Sequence, residues 1–222
     1  MAASSAIDSK LTKIIGNQIA RELKQRNKNT TDPDLFIYEV DEKNTRKFYF
    51  LVVGLDDDFK GGEYIFSFEI PKTFPDTPPV RLVFFTPNGV FRENEKICIS
   101  IGEYHGGGPS VGRDGAITGW TKGLGIFGFA RQVINCLVCW QGNKGLAYDG
   151  TQTTSRQKQA MAAASRKYND KHHSNIMEMM NNHIANNPEH MAVKNLVALR
   201  GEVEDDNLAA AVKDVSLGAA EE

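Results

Sequence analysis

Leu11, Ile14, Ile15, Ile19 and Leu23 recur at helical spacing, with Lys, Arg and Gln between them. The chain therefore opens on an amphipathic helix over residues 8–27, with Asp8 placed to cap it. The rhythm changes after the polar break from Asn27 to Pro33. Leu35–Val40, Arg46–Gly54 and Glu63–Ile70 are rich in β-branched and aromatic residues, and the turn-prone stretches Asp41–Asn44 and Asp56–Gly62 separate them. Connections this short leave no room for helical crossovers, so the spacing predicts an antiparallel meander. Pro71, Pro75, Pro78 and Pro79 fall within the next nine residues, which excludes a helix or a central strand there. Val80–Phe85 reads as a fourth strand.

From Thr86 to Gly119 the periodicity is lost and glycine abounds. A helix resumes near Gly125 and runs to about Trp140, with Phe127, Ile134 and Leu137 on its apolar side. Thr153 to about Asn182 is helical in composition and begins at the cap-like Thr153 and Thr154. Pro188 marks a break. Residues 191–217 form one or two further helices, or a flexible acidic tail in which Glu202, Glu204, Asp205 and Asp206 cluster. The order is helix, meander, long loop and helices, which indicates an α+β domain with helices segregated from an antiparallel sheet.

Composition narrows the function classes. A hydrophobic fraction of 41% in 222 residues supports one sizeable core with an extension. A net charge of −2 gives no electrostatic case for nucleic acid or an anionic membrane. No stretch approaches the roughly 20 apolar residues of a membrane span. The start, MAASSAIDSK, lacks the basic and apolar regions of a signal peptide. Three cysteines argue against a disulfide framework and for a reducing compartment.

Cys98 carries the first candidate chemistry. Between Ile97 and Ile99 it reads either as a buried structural thiol or as a nucleophile. Lys96 upstream and a glycine-rich loop downstream place it at a strand-to-loop transition. Asn88, in Pro-Asn-Gly, is a turn residue, and its amide can also donate to a developing negative charge. Cys136 and Cys139 form Cys-x-x-Cys, a spacing found in redox and zinc sites. Their setting is an apolar helical run, and no second ligand pair has zinc spacing, so both are expected in the core. The segment Gly102–Gly119 lacks the Gly-Lys-Ser/Thr of a phosphate loop. It reads as a mobile flap beside the cysteine, or as an insertion without a role.

The motifs together resemble one family. Phe59-Lys-Gly-Gly-Glu-Tyr64 is similar to the aromatic-x-Gly-Gly-x-aromatic turn of ubiquitin-conjugating enzymes. Ile70-Pro71-Lys-Thr-Phe74-Pro75-Asp-Thr-Pro78-Pro79 resembles their proline segment, and Thr86-Pro87-Asn88 stands where they usually carry His-Pro-Asn. Cys98-Ile-Ser-Ile resembles their active-site Cys-Leu-x-Ile, with Trp120 following it. The resemblance covers roughly residues 8–182 in element order, and Gly61 to Trp120 is its specific part. Thr-Pro-Asn-Gly and ten residues from Asn to Cys look like the J-type branch of endoplasmic-reticulum quality control, without that branch's membrane anchor.

The resemblance implies a ubiquitin-conjugating fold, with a catalytic core over 8–185 and an extension over 186–222. It implies that Cys98 accepts ubiquitin, or a related modifier, as a thioester from the activating enzyme and passes it to a protein substrate with a ligase. It assigns Asn88 to the oxyanion or to holding the nearby loop. Asp149, followed by Thr151 and Tyr148, matches the position that orients the incoming lysine, although a solvated loop aspartate would look the same. Lys10 and Lys13, with Arg21, Lys24 and Arg26, resemble the basic face offered to the activating enzyme; an ordinary solvated helix face reads the same way. Phe74, Pro75, Asp76 and Trp120 resemble the ligase-facing surface, though Trp120-Thr-Lys-Gly123 lacks the usual Ser-Pro-Ala. No cofactor, metal, nucleic acid or membrane span is implied. The expected compartment is the cytoplasm, with the nucleus open as well. An inactive module of the same fold that only binds ubiquitin or partners is the alternative.

Overall fold

The computed structural model describes residues 13–18, 20, 21, 24, 36–99, 101, 102, 110, 111, 117–139, 153–189 and 193–201. Helical backbone at 13–18, 20, 21 and 24 forms α1. Ile15 of α1 is buried, whereas Ile14 is exposed. Asp8 and Lys10 lie outside the described residues, as do Leu11, Ile19 and Leu23.

Four strands follow: β1 (Phe36–Val40), β2 (Lys47–Val52), β3 (Tyr64–Glu69) and β4 (Val80–Phe84). They pair in sequence order and antiparallel, as the short connections require. In β2 the run Lys-Phe-Tyr-Phe-Leu-Val does not alternate, because the sheet is covered on both faces. Phe48, Phe50 and Val52 face the main core, where Phe50 stacks on Phe66 with ring centroids 4.8 Å apart. Tyr49 and Leu51 face the opposite way, into a second cluster.

Helix α2 (Gly125–Val138) covers the first face. Its apolar stripe includes the expected Phe127, Ile134 and Leu137, all buried, and Phe129 meets Phe68 edge-on at 5.0 Å. Cys136 is buried on the same stripe, but Cys139 is exposed, contrary to its expected place in the core. It caps the end of α2, past the last inward-facing turn.

The expected single helix from 153 to 182 is two. α3 (Ser155–His172) begins at Thr154, whose hydroxyl accepts the Gln157 N–H while the Gln157 side chain accepts the Thr154 N–H. The chain leaves helical geometry at His173, whose imidazole Nε2 lies 3.0 Å from the Phe85 carbonyl oxygen. α4 (Ser174–Asn186) then turns back over the sheet and ends just before Asn187 and Pro188. Residues 193–201 form α5. Ile176, Met177 and Met180 of α4 and Val193 and Leu196 of α5 fill the second cluster over Ile37, Leu51 and Ile65. Fully burying side chains of this size contributes about 1.5–3 kcal/mol each, so α4 and α5 are part of the folded body. Their polar seam joins His183 of α4 to Glu39 of β1.

Within the insertion before Trp120, β5 (Ser110–Val111) and β6 (Ile117–Thr118) pair antiparallel. The expected loop thus contains a short hairpin ladder. Among the described residues, no helix is long and apolar enough to cross a membrane.

Candidate active site

The site is built along the outer edge of β4. After β4 the chain turns at 86–89 and comes back beside it. The Asn94 N–H donates to the Phe84 carbonyl at 2.7 Å, and the Ile97 N–H donates to the Leu82 carbonyl at 2.8 Å. After a turn at Asn94 and Glu95, Ile97, Cys98 and Ile99 alternate buried, half-buried and buried. Ile97 and Ile99 are 4% and 1% exposed and anchor in the core, which turns Cys98 outward into a half-buried position. The apolar neighbours that left Cys98 ambiguous in sequence are what turn its side chain away from the core.

The turn ahead of it is braced at several points. Asn88 is only 1% exposed. Its Oδ1 accepts the N–H groups of Val90 (2.9 Å) and Phe91 (2.8 Å), and its Nδ2 donates to the Thr86 carbonyl at 3.1 Å. Gly89 has φ +72°, which favours glycine over any residue with a Cβ, and its carbonyl accepts the Thr153 hydroxyl. Phe91 stacks on Phe84 at 5.3 Å and seats the return segment.

Thr86 is fully buried and hydrogen-bonded. Its hydroxyl accepts the Ile65 N–H at 2.9 Å and donates to Asn169 Oδ1 at 2.6 Å. Asn169 Nδ2 donates to the Glu63 carbonyl at 2.9 Å. The Glu63 N–H donates to Ser165 Oγ at 2.8 Å, and the Ser165 hydroxyl donates to the Ala162 carbonyl at 2.7 Å. The Glu63 carboxylate, 6% exposed, receives Arg200 Nε and Nη2, each at 2.8 Å, while Arg166 Nε lies 3.9 Å away. The turn is thereby tied through α3 to α5. Tyr168 of α3 also donates to Glu93 at 2.8 Å; burial, then the adjoining Glu93, raises its phenol above the usual range.

A second constellation lies around Trp120, which is 7% exposed. Its indole N–H donates to the Pro75 carbonyl at 3.0 Å, and its ring lies 6.0 Å from Phe74. Phe74 is buried, Pro75 half-buried and Asp76 exposed. Lys122 forms an ion pair with Asp76. The proline loop and the loop after Trp120 are therefore one surface, with Phe74 as its internal support. Lys13, Arg21 and Lys24 of α1 are exposed. Lys10, Arg26, Tyr148, Asp149 and Thr151 lie outside the described residues.

Sequence reasoning missed Thr153, Glu63, Ser165, Asn169 and Arg200. Ala162, Ser165 and Asn169 do share one face of α3 by spacing, but the centre of that helix is Ala-Met-Ala-Ala-Ala and its two ends are polar, so no apolar stripe marked the inward face.

No protein-family model matches the chain. It is similar to ubiquitin-conjugating enzyme E2 6 of Candida glabrata, 26% identical over 160 residues that cover 71% of this chain and 57% of that protein. It is also similar to ubiquitin-conjugating enzyme E2 32 of Arabidopsis thaliana, 36% identical over 40% of this chain and 28% of that one. Ubiquitin-conjugating enzyme E2 J1 of Homo sapiens is 38% identical over 29% of this chain and 20% of its own length. The chain thus spans little more than half the length of the first of these relatives and less than a third of the other two.

Proposed function

We propose that this chain, similar in sequence to several ubiquitin-conjugating enzymes, carries ubiquitin as a thioester on Cys98 and transfers it to an acceptor protein. The carrying observation is the placement of Cys98, a half-buried thiol held between two buried isoleucines on a segment hydrogen-bonded to a sheet edge. Such a nucleophile is exposed to a partner yet fixed in position.

In loading, the Cys98 sulfur attacks the thioester carbonyl on the activating enzyme. A new C–S bond forms and the donor thiolate leaves. In discharge, an acceptor amine attacks the carbonyl now held on Cys98. A C–N bond forms, the C–S bond breaks, Cys98 leaves as thiolate, and the amine proton passes to solvent or to a base. Asn88 serves this step through the turn it braces. Asp149 is proposed to orient the incoming lysine. The partners are ubiquitin, the activating enzyme, which meets the basic face around Lys13, and a ligase, which meets Pro75, Asp76 and the loop after Trp120. No cofactor takes part.

The test is incubation with activating enzyme, ATP and ubiquitin. A reductant-sensitive adduct is expected, lost in Cys98→Ala and kept in Cys136→Ala; no adduct with any of a panel of modifiers would refute the proposal. The burial of Asn88 favours one second reading, a module that holds ubiquitin without discharging it. An adduct stable to free lysine would mark that outcome.

A further inference from the structure

We propose that Asn169 and Thr86 are positioning residues for acyl transfer from Cys98, acting through the turn that Asn88 braces. The inference rests on the transfer reading of Cys98 and extends it to residues of α3.

Thr86 and Asn169 are fully buried, and each polar atom involved has a defined direction of donation. The Thr86 hydroxyl has one proton, which goes to Asn169 Oδ1, and it accepts the Ile65 N–H. Asn169 is held by its other end, because Nδ2 donates to the Glu63 carbonyl. Thr86 is thus fixed against β3 and α3 together. Its backbone carbonyl receives the Asn88 amide, so the place of Thr86 sets the place of Asn88. Asn88 in turn gathers the N–H groups of Val90 and Phe91, from which the chain runs directly to Cys98. The hydrogen bonds from Asn169 through Thr86 and Asn88 to Val90 and Phe91 are all buried, and the chain leads on from there to the nucleophile. Losing the Thr86 hydroxyl would strand the Ile65 N–H and Asn169 Oδ1 in the interior, where neither can turn to solvent.

The two chemical steps use this frame unequally. During loading the reacting carbonyl is held by the donor enzyme, and Cys98 supplies only sulfur. During discharge the carbonyl sits on Cys98, and the surrounding backbone must stabilise the charge that develops on its oxygen. A loosened turn should therefore slow discharge far more than loading.

The experiment compares wild type with Thr86→Ser, Thr86→Val and Asn169→Ala in single-turnover loading and in discharge to free lysine. Valine keeps the shape of threonine and removes the hydroxyl; serine keeps the hydroxyl and removes the methyl. Thr86→Val and Asn169→Ala should load within about twofold of wild type, corrected for folded fraction, and discharge at least about tenfold more slowly at saturating lysine. Thr86→Ser should stay within about twofold in both steps. In Thr86→Val, amide exchange at Val90 and Phe91 should quicken relative to amides of β2. The proposal is overturned if Thr86→Val discharges at the wild-type rate. It is equally overturned if loading and discharge fall in parallel, or if serine is as slow as valine, since a packing role would produce those results. Should wild type form no adduct, the transfer reading fails on its own. Amide exchange then still decides the positioning claim, because unchanged exchange at Val90 and Phe91 refutes it. Asn169→Ala carries the comparison if Thr86→Val does not fold.

Discussion

Replacing Arg200 with leucine would leave the Glu63 carboxylate 6% exposed, with Arg166 Nε at 3.9 Å as its remaining ionic contact among the described residues. Removing one partner of a buried pair costs about 3–5 kcal/mol, since the other charge stays in a poorly solvating interior. Two features pull the value to the lower end. The Arg200 side chain is 17% exposed, so some water already reaches the pair, and Arg166 can close part of its gap. We expect a loss of about 3 kcal/mol, which for a chain of this size lowers Tm by roughly 6–12 °C. The assay is urea unfolding followed by tryptophan fluorescence and circular dichroism, with an unchanged m-value as the check on two-state behaviour. Adding Glu63→Gln removes the stranded charge, so the double variant should be more stable than Arg200→Leu alone by about 1–2 kcal/mol. A loss in Arg200→Leu below about 0.5 kcal/mol, the scale of a surface pair, would refute the reasoning. So would strictly additive effects of the two substitutions.

Trp120→Phe removes the indole N–H that reaches the Pro75 carbonyl and keeps most of the ring packing. It should cost about 1 kcal/mol in urea unfolding read by circular dichroism. The cysteines should separate by reactivity. At pH 8 a maleimide should label exposed Cys139 on mixing and reach Cys136 only as fast as the protein opens. Burial, with a smaller contribution from Cys139, pushes the Cys136 thiol up to about 11. Folding thus favours the protonated thiol, and its contribution to stability is intact below the ordinary thiol range and lost as pH rises through 11. Alkaline titration of Tm should show that decline, and a profile rising over the same range would contradict it.

The patterns that depend on neighbours in sequence were legible without coordinates. Alternation and turn residues placed the four strands to within about two residues, and short connections made them an antiparallel meander. Spacing put Phe127, Ile134 and Leu137 on the buried side of α2. The motif order drew attention to Cys98 and Asn88. Three things were decided only by tertiary contact. One is the direction of the Cys98 side chain, since the isoleucines beside it fit a core thiol equally well until β4 captures the segment. Another is the break at His173, where a contact with the Phe85 carbonyl accompanies the departure from helix within a stretch that reads as helical on either side. The last is the frame behind the turn. Glu63 lies more than a hundred residues from Ser165, Asn169 and Arg200, and no local pattern pairs them. A buried polar network is specified by which donors meet which acceptors in space, and hydrophobic periodicity carries no record of that.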